Sequence, residues 1–201
     1  MHIELLLEEP SAEAFFSTFL PKVLPQDATV RPIIFQGKHD LLSNLERRLK
    51  GYRSWLPADA RIIVLVDEDR QDCRDLKAHL ERAASAAGFT TKTGARGGAF
   101  VVLNRIVVEE LEAWFLGDPV ALNAAYPRVP ATLGARAAFR DPDQVAGGTW
   151  EALERVLQRA GYYPGGLPKI EVAKTMASHL EAGRNTSASF RCFLSGLAAL
   201  R

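Results

Sequence analysis

The stretch Arg61–Cys73, RIIVLVDEDRQDC, decides how the rest of the chain reads. Ile62 to Val66 form an unbroken apolar run, mostly β-branched, which fits a strand buried on both faces of a parallel sheet. The run stops abruptly in Asp67-Glu68-Asp69. Ligands in open parallel α/β sheets bind beyond the carboxyl ends of the strands, and two carboxylates at i and i+2 there can share a hard cation such as Mg2+. The plainer alternative is a solvated acidic turn before a helix whose start Asp72 favours.

On the N-terminal side, Ile3–Leu7 reads as a first strand, ended by Glu8-Glu9-Pro10-Ser11. Ser11 suits an N-cap, and Phe15, Phe16, Phe19, Leu20 and Val23 recur at helical spacing. Val30–Phe35 reads as a second strand, with Pro32 pointing to an edge position. A helix from about Asp40 to Leu49 carries Leu41, Leu42, Leu45 and Leu49 on one face. On the other side of the central stretch, Asp72–Ala87 reads as a helix stopped by Gly88. Thr93–Gly98 is a Gly-rich loop, Phe100–Leu103 a fourth strand, and Arg105–Phe115 switches to helical periodicity.

Strands and helices thus alternate at short spacing, which predicts an α/β fold with a mostly parallel four-stranded sheet flanked by helices and joined by right-handed crossovers. From about Gly117 the pattern breaks into helical pieces: Thr149–Ala160, Lys169–Leu180 and Ser187–Leu200. The expected organisation is an α/β part over 1–117 and a helical C-terminal elaboration over 118–201, packed together as a single structural unit.

The chain has 201 residues, 47% apolar and 24% charged, with a net charge of +1. That composition is ordinary for a globular protein and excludes the global basic field of a non-specific nucleic-acid binder. Cys73 and Cys192 have no metal-ligand spacing, which fits a reduced, cytoplasmic protein. No secretory signal is expected, since acid interrupts the N-terminal apolar run. No stretch approaches the roughly 20 apolar residues of a membrane span.

Acids recur where strands end: Glu8 and Glu9 after the first, Asp67 and Asp69 after the third, and Glu109, Glu110 and Glu112 after the fourth. Parallel strands bring their carboxyl ends to one edge, so these acids can converge. Converging carboxylates repel unless a cation or protons neutralise them. Oxygen ligands without histidine or thiolate point to Mg2+ or Mn2+, with one of Glu109, Glu110 and Glu112 as a ligand.

A strand ending in Glu, a helix, and a later strand ending in Asp-x-Asp resembles the Toprim fold of topoisomerases, primases and OLD-type nucleases. LLLEEPSAEAFF, FQGKHDLL, VLVDEDRQDC, RIVVEELEAWFLGD and NTSASF together resemble a Toprim-like bacterial family often encoded beside AAA-type ATPases and linked to phage defence. The resemblance places the Toprim glutamate at Glu8 and the Asp-x-Asp at Asp67 and Asp69. It implies Glu8 as general acid/base and the aspartates as Mg2+ ligands at a phosphodiester of DNA or RNA. It also implies an AAA/OLD-type ATPase partner. Toprim domains usually carry Gly after the glutamate; Glu9-Pro10 stands there instead, which leaves Glu8 and Glu9 both open as the inward-pointing residue.

Lys38 could neutralise a phosphate at the same edge, although a lone lysine is more often exposed surface. Arg105 could pair with Glu109 at i, i+4 or contact a phosphate, and Glu112 shares a helical face with Glu109. Trp114, Phe115 and Leu116 read as core. The TGARGG loop lacks the Gly-Lys-Ser/Thr of a P-loop and precedes a strand, not a helix. The four histidines have no ligand spacing, and Lys169, Arg184 and Asn185 default to surface roles. Ser187 and Ser189 suit a cap for the last helix. Two functions remain: a Mg2+-dependent nuclease or related phosphodiester-transfer protein, and a non-catalytic Toprim-like binding or regulatory subunit. A receiver-type signalling domain would need a Lys after the fourth strand that the sequence does not offer.

Overall fold

The computed structural model describes residues 1–69 and 71–200. Its elements are β1 (His2–Leu7), α1 (Pro10–Val23), β2 (Thr29–Ile34), α2 (Lys38–Tyr52), β3 (Arg61–Asp67), α3 (Cys73–Ala86), β4 (Val102–Val107), α4 (Glu112–Leu116), α5 (Pro119–Ala125), three short 3-10 turns, α6 (Thr149–Arg159), α7 (Lys169–His179) and α8 (Ala188–Ala198). The strands form one four-stranded all-parallel sheet in the order β2-β1-β3-β4. The α/β expectation holds, and Pro32 does lie in an edge strand.

The register fixes which residues meet at the carboxyl edge. Leu7 pairs with Ile34 across β1–β2, and Leu6 with Val64 across β1–β3. Two residues beyond those pairs, Glu8 comes level with Val66, immediately before Asp67.

The chain divides into two compact units. The first comprises Met1–Pro10, Leu24–Ile106 and Ser195–Arg201. Here α2 and α3 cover one sheet face: Leu41, Leu45, Leu49, Leu76 and Leu80 pack with Leu6, Ile62, Val64 and Val66, all buried. Side chains two apart on a strand share a face, so Leu6 of β1 and the even members of β3 supply this core. Gly88, at φ 78, stops α3 as a left-handed residue should. The second unit comprises Ser11–Val23 and Val107–Leu194. Its core is aromatic: Trp114 lies 5.0 Å from Phe190, 5.2 Å from Phe193, and 6.0 Å from both Phe15 and Phe16, centroid to centroid. The core assignment of Trp114, Phe115 and Leu116 is therefore right, with each at most 1% exposed.

Three local expectations are corrected. Strand β4 runs on through Arg105 to Val107, and the helix after it starts only at Glu112. Arg105 is thus a strand residue and Glu109 a turn residue at φ 59, so neither the Arg105–Glu109 helical pair nor a shared helical face of Glu109 and Glu112 exists. Helix α1 begins at Pro10, one residue ahead of Ser11; Pro suits a first helical position, where its missing N–H has no partner to lose. Asn185 is buried, not superficial: its Nδ2 donates to the Trp114 carbonyl at 2.6 Å.

Candidate acidic site at the sheet edge

The end of β1 organises the site through its backbone. Phe35 N–H donates to the Leu7 carbonyl at 2.9 Å, and Gly37 N–H to the Glu8 carbonyl at 3.1 Å. These bonds hold the turn from β2 into α2, where Gly37 sits at φ 92 and ψ 175. That region is essentially open to glycine alone. Gly37→Ala is therefore expected to destabilise the protein by about 1–3 kcal/mol, although no atom lies within 4 Å of the added methyl. Chemical denaturation measures it; an unchanged midpoint would refute the strain.

With Gly37 so placed, α2 opens on Lys38, and its ammonium reaches the turn that follows β3. Lys38 Nζ lies 2.6 Å from Asp69 Oδ2 and donates to the Glu68 carbonyl at 3.0 Å. Its side chain is 13% exposed, so the default reading of Lys38 as a solvated surface lysine gives way. Asp69 itself adopts φ 51, a left-handed turn that Asp tolerates better than most residues, and this aims its carboxylate back toward α2.

Glu8 is the glutamate that turns toward β3: its Oε1 accepts from the Asp67 backbone N–H at 2.7 Å. Burial raises its carboxyl from the ordinary 4.5 to about 7; the Asp67 N–H and the Lys38 charge oppose the rise, and the Asp69 and Glu9 charges add to it. The folded state therefore keeps a proton that the unfolded chain releases, so stability is lost as pH rises from about 4.5 to about 7, by up to about 3 kcal/mol. Glu8→Gln keeps the acceptor and removes the titration. Its denaturation midpoint should exceed that of the wild type at pH 8 and match it at pH 4. Equal differences at both pH values would contradict the assignment.

The structure thus brings Glu8, Lys38, Asp67 and Asp69 to one edge. Among the later acids, Glu110 serves the second unit: its Oε2 accepts from Thr149 Oγ1 and from Trp150 N–H, both at 3.0 Å. It caps the start of α6 from 39 residues away. Glu112 is 3% exposed, with Lys169 Nζ at 3.9 Å, and Glu109 occupies the turn between β4 and α4. Arg105 is 8% exposed, and its Nη1 donates to the Asn104 carbonyl at 2.9 Å. Among the described residues, no three His, Cys, Asp or Glu side chains form a group able to hold a metal ion, and no helix is long and apolar enough to cross a membrane.

Sequence reasoning passed over Glu4. It is 0% exposed in β1, accepts from Tyr52 Oη at 2.8 Å, and lies 2.7 Å from His2 Nε2. The i, i+2 spacing of His2 and Glu4 on a strand was the available signal.

No curated protein and no solved structure matches the chain. The family model described as a Domain of unknown function (DUF4276) matches residues 7–198, from the last residue of β1 to the end of α8; the chain belongs to that family.

Proposed function

We propose that this chain is a Toprim-like, Mg2+-dependent phosphodiester-transfer enzyme acting on nucleic acid, a nuclease by reaction class. The observation that supports it best is the 2.7 Å bond from the Asp67 backbone to Glu8, with Asp69 and Lys38 at the same edge. Residues distant in sequence are gathered there at the carboxyl ends of two central strands, where α/β folds bind ligands.

The donor chemistry fits Mg2+, because the edge offers carboxylate oxygens and no histidine or thiolate. Mg2+ keeps several waters and commonly takes only one or two carboxylates plus substrate phosphates, so a closed cage of protein ligands is not required. When bound, the ion would supply charge stabilisation on phosphoryl oxygens; Asp67, Asp69 and Glu8 would hold it. Lys38 presents an ammonium to an incoming phosphate and, before substrate arrives, neutralises Asp69. Glu8 is the group placed to take or give a proton at the reacting oxygen. The AAA/OLD-type ATPase partner, the phage-defence setting and the cytoplasmic location belong to the same proposal and rest on the motif resemblance and the cysteine usage.

A second reading, a non-catalytic Toprim-like binding or regulatory subunit, is favoured by one observation. Lys38 already supplies Asp69 with a positive charge without any ion. Calorimetric titration of Mg2+ and Mn2+ into the wild type, Asp67→Ala and Lys38→Ala separates the two. The enzymatic reading expects heat in the wild type, its loss in Asp67→Ala, and tighter binding in Lys38→Ala once the competing ammonium is gone. No heat in any of them, with no cleavage of single- or double-stranded DNA or RNA, leaves the subunit reading.

A further inference from the structure

Away from the acidic edge, the first unit carries a groove of about 450 Å3 between the end of β2 and α2. One wall is Phe35 and its neighbours; the other is a stripe along α2 made by Asn44, Arg47, Arg48, Tyr52 and, just past the helix, Trp55. Those positions recur every three or four residues, so they share one helical face, while Leu41, Leu45 and Leu49 turn into the core.

Trp55 is 53% exposed, an unusual position for so large an apolar ring. It is not loosely placed. Its ring meets Tyr52 edge-on at 5.3 Å and 61°, and the Tyr52 hydroxyl is tied to the buried Glu4. The indole therefore stands on an anchored base and presents its surface to water. Beside it are two guanidinium groups: Arg48 lies over the Phe35 ring at 5.9 Å, and Arg47 donates to Asn44 Oδ1 at 2.6 Å. The one carboxylate on this stripe, Asp40, accepts from Gln36 N–H at 3.0 Å and from Asn44 Nδ2 at 2.6 Å.

We infer that this groove binds single-stranded nucleic acid, with a base stacked on Trp55 and the backbone phosphates met by Arg47 and Arg48. An apolar segment would strip water from both guanidinium groups without replacing it. An acidic peptide would use the arginines and leave the indole without a partner. A duplex keeps its base faces inside the stack. A single strand uses both features, since aromatic platforms beside a basic track are how such strands are held. The inference deepens the nucleic-acid reading above and rests on it, by naming the strand form and its path. The far end of the groove, at Gln36 and Asp40, flanks Lys38 in the chain, so a bound strand leads to the acidic edge along α2, a helix of 15 residues, or about 22 Å.

The test is fluorescence anisotropy with labelled 12-mers of thymidylate and uridylate, in EDTA so that no metal chemistry contributes. The wild type should bind both. Trp55→Ala should weaken binding by about 5- to 100-fold, with Trp55→Phe retaining most of it. The double variant Arg47→Ala/Arg48→Ala should flatten the salt dependence. A duplex of matched length should bind more weakly, and a polyglutamate peptide should not displace the strand. Circular dichroism confirms that these exposed substitutions leave the fold intact. Wild-type affinity in Trp55→Ala, preference for duplex, displacement by polyglutamate, or no strand binding at all overturns the groove assignment. No strand binding by a wild type that still gives the Mn2+ heat would sink the groove and spare the acidic centre; strand binding by a wild type that gives no such heat would sink the centre and spare the groove.

Discussion

Replacing Asp118 with alanine is expected to cost the helical unit about 2–4 kcal/mol, from a lost helix cap and a second unsatisfied backbone donor. Asp118 sits at the N-cap of α5 with its carboxylate fully buried. Oδ1 accepts from Ala121 N–H at 3.0 Å and from Arg184 Nε at 2.7 Å; Oδ2 accepts from Arg184 Nη2 at 3.0 Å and from Glu181 N–H at 3.2 Å. One side chain thus caps a helix, closes a two-pronged bridge and satisfies a distant loop. Removing it leaves two backbone donors without their acceptor, and a buried donor left unsatisfied costs more than the bond itself contributed; Arg184, 34% exposed, keeps Glu181 Oε2 at 3.4 Å. Asp118→Asn keeps an acceptor for the cap and loses the charge, so it should fall between alanine and the wild type. Urea denaturation followed by circular dichroism measures both, and a loss below about 1 kcal/mol in Asp118→Ala would contradict the account.

Trp114→Ala should cost a similar amount, about 3–5 kcal/mol, in the same unit. The indole is fully buried among Phe15, Phe16, Phe190 and Phe193, and its Nε1 donates to Ser189 Oγ at 2.8 Å. Alanine leaves a cavity walled by rigid rings that cannot collapse into it. Trp114→Phe refills most of the volume and loses only one donor. Ser189 remains anchored after that change, because its N–H donates to Asp143 Oδ2 at 2.8 Å and its hydroxyl lies 3.1 Å from Ser187 Oγ. Near-ultraviolet circular dichroism should lose its aromatic signature in the alanine variant and keep it in the phenylalanine one. A small stability change in Trp114→Ala would mean the aromatic core rearranges freely.

How much of this was legible depends on the range of the interaction. The Ile62–Val66 run, the edge proline in β2 and the glycine after α3 are local signals, and each reads correctly from the chain. The Ser187 cap is local too: its Oγ accepts from Phe190 N–H at 3.0 Å. The segment Arg105–Phe115 misleads because its apolar residues satisfy helical spacing, and short apolar runs do not separate strand from helix without the pairing partner. Sequence order places α1 among the strands, yet Phe15, Phe16 and Phe19 gather with the later helices. Only the tertiary aromatic cluster announces this. At the candidate site, the meeting of Glu8 with the end of β3 follows from parallel pairing and was foreseeable. The capture of Asp69 by Lys38 was not. It needs the left-handed turn at Asp69 and the glycine at position 37, two backbone details that composition does not reveal. The role of Glu110 as a remote cap of α6 is likewise invisible to periodicity.

Crystals soaked in Mn2+ and measured at the manganese anomalous edge test the central claim most directly. The account predicts one strong peak at the carboxyl edge, bound by Glu8 and by Asp67 or Asp69, with the Lys38 ammonium displaced from Asp69. A Lys38–Asp69 pair left intact at saturating Mn2+, with no peak at that edge or with the ion bound elsewhere, would contradict it.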